Sequence, residues 1–220
     1  MNNAFRDIRA VGFDLDGTMY AQSPLMDEKI VQLFAEKVLA KKPELGTIAA
    51  AKEFSEKKYR ELESRKKTLE LVGYSNAGEI MEGIFREADS AQFLERDEKL
   101  IGLLHEIRKA KEYVYLVTTA PADEMEKKLA RLGVKKDIFN LIVNGNDPHI
   151  AQKPKDGNVF SYVVEQSGIP AGNHVYIGDR EKSDILAPQS IGMRTIAVAN
   201  EIPAADAYVP DVYGIREILL

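Results

Sequence analysis

Short apolar runs alternate along much of this chain with segments whose apolar residues recur at helical spacing. Residues 10–13 form one such run, which ends abruptly in Asp14-Leu15-Asp16-Gly17-Thr18, as a buried strand does when it emerges at a sheet edge. Runs over 113–117, 174–177 and 193–198 read as further buried strands, and 139–143 as a weaker fifth. Between them, segments 122–132, 155–167 and 183–191 have helical periodicity. Each is closed by a glycine: Gly133, Gly168 and Gly192. Strands alternating with single helices predict parallel pairing through right-handed crossovers, hence an α/β fold with a doubly wound, Rossmann-like parallel sheet.

The stretch 23–91 follows another rhythm. The spacing predicts a helix over 27–42 that stops at Pro43, a long charged helix over 48–72 closed by Gly73, and a third helix over 76–88. Asn76 and Glu79 match the spacing of a capping box at the start of the third. No strand interrupts these helices, so 23–91 reads as a small all-helical domain inserted between the first and second strands. Residues 1–22 and 92–220 then make up the sheet domain, re-entered through a helix over 97–111.

Composition narrows the chemistry. The 220 residues include no cysteine and no tryptophan, which excludes disulfides, thiolate metal sites and cysteine nucleophiles. The net charge of -5 lacks the basic footprint of a general nucleic-acid binder. No apolar stretch approaches the ~20 residues that span a bilayer. Residues 1–7 hold neither an apolar run nor a small-residue cleavage site, so no signal peptide is expected. The expectation is a cytoplasmic protein with no nucleic-acid and no membrane partner.

In an open α/β sheet, ligands bind outside the carboxyl ends of the strands. Four places far apart in sequence would meet at one such edge. Asp14 and Asp16 follow the first strand, Thr118 and Thr119 the second, and Asp179, with Asp184, the strand from 174. Lys153 precedes the 155–167 helix, with Lys155 as a rival. On an extended strand Asp14 and Asp16 would point to the same side. One carboxylate can attack phosphorus to give an acyl phosphate. A second can protonate the leaving oxygen and later deprotonate the hydrolytic water. Two like charges about 4 Å apart repel by roughly 4 kcal/mol at an effective dielectric of about 20. Such a group therefore requires a hard cation with oxygen ligands, and Mg²⁺ suits Asp14 and Asp179, with Asp184 as a ligand or beside one. Lys153 would set positive charge against the transferring group. Thr118 would hold a phosphate oxygen, and the helix from about 122 would aim its positive end at the same place. His105, His149 and His174 form no ligand spacing.

Asp14-Leu15-Asp16-Gly17-Thr18, Thr118, Lys153-Pro154, and Gly178-Asp179 with Asp184 resemble the four ordered motifs of the haloacid dehalogenase (HAD) superfamily. The resemblance spans essentially the whole chain, and Ile191-Gly192-Met193-Arg194-Thr195 fits it too. It implies Asp14 as nucleophile, Asp16 as general acid/base, and Thr118 and Lys153 as phosphate holders. It also implies a Mg²⁺ site formed by Asp14, the backbone carbonyl of Asp16 and Asp179. The helical block resembles the cap found between the first and second motifs of the family, which implies a small phosphorylated metabolite, a sugar phosphate or nucleotide, as substrate. The family's dehalogenases lack the second aspartate, and its transporting ATPases have threonine there, so Asp16 makes phosphatase the expected activity. A phosphomutase shares every core motif. A receiver-like module, phosphorylated as a switch, is the reading from another class, and Asp16 and the helical block argue against it.

Overall fold

The computed structural model describes residues 3–62, 64–150 and 158–220. The chain divides into two compact units, Gln22–Leu94 and the combination of Met1–Ala21 with Glu95–Leu220.

The inserted unit is helical, with α1 (Pro24–Lys41), α2 (Ile48–Leu62), α3 (Arg65–Leu71) and α4 (Ala77–Ala88). Leu33, Phe34, Val38, Leu69 and Ile84 form its buried centre. α1 begins before the expected 27 because Ser23 Oγ accepts from the Met26 N–H at 3.2 Å and Pro24 suits a first helical turn. The single long helix expected over 48–72 is instead α2 and α3. Ser64 adopts an extended backbone and caps α3 by accepting from the Lys67 N–H, which ends one helix and starts another. The capping box expected at Asn76 does not form either. Its amide donates to the Glu79 carboxylate at 2.9 Å, and its side chain makes no bond to the helix backbone.

The other unit is built on strands β1 (Ala10–Phe13), β2 (Tyr113–Val117), β3 (Leu141–Val143), β4 (His174–Gly178), β5 (Arg194–Val198) and β6 (Ala207–Val209). All pairings are parallel, in the order β3-β2-β1-β4-β5-β6. This is the doubly wound α/β sheet that the alternating pattern predicts. β1 lies at its centre with Phe13 opposite Leu116 and Ile177. Every residue of β1 and β4 is buried, so both strands read as unbroken apolar runs. A Cβ on Gly12 would lie 2.2 Å from the Tyr115 ring. Glycine in mid-strand thus makes room for a ring layer in which Tyr115 stacks with Tyr176 at 6.3 Å.

The core helices are α5 (Glu98–Ala110), α6 (Ala122–Leu132) and α7 (Asn158–Ser167). Asp97 caps α5, accepting from the Leu100 N–H at 2.9 Å. β3 is shorter than the expected 139–143, because Asn140 Oδ1 takes the Val114 N–H that a longer strand would have bonded through its backbone. Residues 183–191 are not one α-helix. A π-helical turn spans Glu181–Leu186, followed by Ala187–Gln189. Pro188 has no N–H to return to Asp184, so the ordinary helical bond is missing there. β6 was not foreseen, since it has three residues of which only the last is buried. Among the described residues no helix is long and apolar enough to cross a membrane.

His174 belongs to this core rather than to any site. It is fully buried, its Nε2 lies 3.1 Å from the Ile169 carbonyl oxygen, and burial pushes its pKa down to about 4. The unfolded chain, with the ordinary value near 6.5, takes up this proton first as the pH falls. Stability is therefore fully present above about pH 6.5 and is lost as the pH falls towards 4. At pH 5 the loss from this residue comes to about 2 kcal/mol. Urea unfolding at pH 7 and pH 5 is expected to show that drop, and His174→Gln to lack most of it.

Candidate active site

Asp14 directly follows β1. Its N–H donates to the Ile177 carbonyl at 2.9 Å, which extends the pairing with β4 by one residue and fixes the backbone at the carboxyl edge of the sheet. The side chain is buried. The chain then turns at Gly17, whose φ of +80° suits glycine, and a Cβ there would lie 2.5 Å from Asp179 Oδ2. Neither the turn nor the approach to Asp179 tolerates a side chain at Gly17.

Thr118 is the residue after β2. It is buried, its N–H donates to the Val143 carbonyl at 2.9 Å, and its hydroxyl oxygen accepts from the Ala120 N–H at 3.1 Å. Thr119 beside it is exposed. Asp179 follows β4, and Asp184 lies fully buried in the π-helical turn, where its Oδ2 accepts from the Arg180 N–H at 3.1 Å. A cavity of about 490 Å³ opens at this edge, lined by Asp14, Thr119, Arg180 and the segment from Glu181 to Asp184. The sheet thus brings Asp14, Thr119 and Asp184 to one cavity. Lys153 and its rival Lys155 lie outside the described residues.

Oxygen atoms of Asp14, Asp179 and Asp184 all lie within 4.8 Å of one another. Burial is the main force that raises the Asp179 pKa to about 6; Arg180 opposes the shift, and the charges of Asp184 and Asp16 add to it. Asp179 Oδ1 is buried without a hydrogen-bond partner among the described residues. An oxygen-only donor set, carrying like charges and an unsatisfied buried oxygen, fits a hard divalent cation.

The carboxylate of Asp16 goes elsewhere. β1 ends at Phe13, so strict strand alternation does not govern Asp14 and Asp16. Asp16 Oδ1 accepts from the Lys128 ammonium at 2.6 Å and from the Tyr20 hydroxyl. Burial first, and the Asp16 charge second, raise the Tyr20 pKa far above its ordinary value, so its hydroxyl remains a donor. Lys128 and Tyr20, like Arg180 on the cavity wall, were not among the residues singled out from the sequence. Lys128 did carry a signal, since it falls three residues after Met125 and four before Leu132 on the buried stripe of α6.

A buried carboxylate directly after the central strand, a cluster of three acids and a cavity thus meet at the carboxyl edge of a Rossmann-like sheet. The chain belongs to the haloacid dehalogenase-like hydrolases, whose family model matches residues 11–198. It is an enzyme of the phosphatase kind. A phosphoglycolate phosphatase from Xanthomonas campestris is 28% identical over 86% of this chain and 82% of its own length. Among solved structures, a HAD phosphatase from Thermococcus onnurineus aligns with a TM-score of 0.70 at 23% identity, over 96% of this chain and 98% of that one. A β-phosphoglucomutase from Clostridium difficile aligns at 0.64 and 17% identity, over 94% and 93%.

Proposed function

We propose that the protein is a Mg²⁺-dependent phosphatase of small phosphate monoesters, working through an aspartyl phosphate on Asp14. The observation that carries this reading is the placement of the Asp14 carboxylate, within 4.8 Å of Asp179 and Asp184 and on the wall of a 490 Å³ cavity. A cavity of that size suits a small ligand. In the first half-reaction an Asp14 carboxylate oxygen bonds to phosphorus, the ester P–O bond breaks, and Asp16 gives its proton to the leaving oxygen. In the second, Asp16 takes a proton from water, the water oxygen bonds to phosphorus, and the acyl-phosphate P–O bond breaks to restore Asp14. Thr118 and Lys153 hold the phosphate oxygens. Asp14, Asp179, Asp184 and the backbone carbonyl of Asp16 hold the Mg²⁺, which supplies positive charge against the phosphate and the clustered carboxylates. The inserted helical unit is read as the family's cap.

The fold does not separate a phosphatase from a phosphomutase, since likenesses to both accompany it. Product analysis does. With Mg²⁺ and a panel of metabolite monoesters that includes phosphoglycolate and hexose phosphates, stoichiometric release of inorganic phosphate is expected. An isomeric sugar phosphate with little free phosphate would instead assign the mutase.

A further inference from the structure

We infer that Lys128 is a positioning residue for the proton transfers of Asp16, fixing which of its two carboxylate oxygens faces the reaction; this inference rests on the acid/base reading of Asp16. Both donors that reach Asp16 converge on the same atom. The Lys128 ammonium lies 2.6 Å from Oδ1, and the Tyr20 hydroxyl donates to Oδ1 as well. Oδ2 has no partner among the described residues. An oxygen that already accepts from an ammonium and a phenol is a poor place for a further proton. In the acid form of Asp16 the proton therefore resides on Oδ2, and in the basic form Oδ2 is the oxygen free to receive one. The carboxylate plane, otherwise free to rotate, is pinned at one corner.

The two donors come from different parts of the chain, which gives the arrangement its rigidity. Tyr20 is four residues on from Asp16, and the two backbones form an isolated bridge across the turn at Gly17. Lys128 is 112 residues away in sequence, in the middle of α6. Only 9% of its side chain is exposed. α6 is anchored at its start, where Asn146 Oδ1 accepts from the Ala122 N–H at 2.7 Å, and along its length by buried Met125, Leu129 and Leu132. A lysine on such a stripe loses hydration that an aliphatic side chain does not need. If its role were stability alone, a methionine of similar length would serve as well or better, because buried ion pairs often contribute no net stability. Lys128 is thus spent on orienting Asp16 within a fixed frame, much as buried partners orient the acids and bases of other active sites.

The test separates leaving-group chemistry from folding. Second-order rate constants, kcat/KM, report the steps up to departure of the leaving group. They are measured on p-nitrophenyl phosphate, whose phenolate leaves without a proton, and on the best alkyl monoester of the panel, whose alkoxide needs one. For Lys128→Met the loss on the alkyl ester is expected to exceed the loss on the aryl ester by about 10- to 100-fold, a part of what acid catalysis contributes. Lys128→Arg restores part of it, and in an Asp16→Asn background Lys128→Met has no further effect on the ratio. Equal losses on both esters, no loss on either, or an undiminished effect beside Asp16→Asn would overturn the inference. If Lys128→Met melts below the assay temperature, Tyr20→Phe removes the other donor to the same oxygen and faces the same criterion. The acid/base reading has its own control, because Asp16→Asn with full alkyl-ester activity would sink that reading whatever Lys128 does.

Discussion

Asp14→Asn is expected to lower the turnover number by about 10⁴-fold or more, the scale on which removal of a nucleophile acts. The amide is nearly the same size as the carboxylate and occupies the same backbone, held by the bond from the Asp14 N–H to Ile177. What it lacks is an anionic oxygen able to form an acyl phosphate. The substitution also removes one of three clustered carboxylates, so the like-charge repulsion in the free protein falls. The melting temperature is accordingly expected to hold or rise while activity disappears. That combination distinguishes a lost nucleophile from a damaged fold. Acid quenching during turnover of a labelled monoester should trap protein-bound phosphate in the wild type and none in the variant. A variant that kept a tenth of the activity would remove Asp14 from the mechanism.

Removal of divalent metal is expected to have the next largest effect. EDTA should reduce phosphate release to background, and added Mg²⁺ should restore it. A second readout needs no turnover. Binding to the folded state alone stabilises by RT ln(1 + [L]/Kd), about 2.7 kcal/mol at a hundredfold excess over Kd. For a chain of this size that corresponds to a rise in melting temperature of roughly 5–10 °C when Mg²⁺ is added to the metal-free protein. Asp179→Asn should abolish most of that rise, because it neutralises the carboxylate whose buried Oδ1 has no other partner among the described residues. A melting temperature indifferent to Mg²⁺, together with activity indifferent to EDTA, would exclude the metal site.

Much of this fold was legible because its central strands are buried on both faces. Such strands leave continuous apolar runs bounded by turn residues, and β1, β2 and β4 were read within a residue or so. β6 left no such mark, since its first two residues are not buried. Helix ends set by a side chain were harder. A single serine, Ser64, divides α2 from α3 through its own backbone angles, and no glycine or proline between Leu62 and Leu69 marks the stop in the sequence. The site was legible where residues sit at strand ends: Asp14, Thr118 and Asp179 are each placed by the strand that precedes them. Lys128 was not legible, because a lysine beside another lysine on a charged helix is ordinarily a solvated one. Its meaning comes only from Asp16, 112 residues distant. Sequence spacing fixes neighbours along an element, whereas that contact depends on how α6 lies against the turn after β1.

The central position of β1 also governs how the protein comes into being. Bonds that flank this strand close loops of 103 residues, from Arg9 to Glu112, and of 166 residues, from Asp7 to Asn173. The helical unit, by contrast, is assembled from segments near one another in the chain. During synthesis at roughly 5–20 residues per second, β1 waits roughly 10–30 s before β4 leaves the ribosome. For that interval an apolar strand and the aspartate beyond it have no partner on one side, while the inserted helices are free to form at once. Early contacts in this chain are local and helical, and the pairing that seats Asp14 is among the last to be made. The edge that carries Asp14 is therefore complete only after this long-range pairing, and activity is expected to appear only once the sheet has closed.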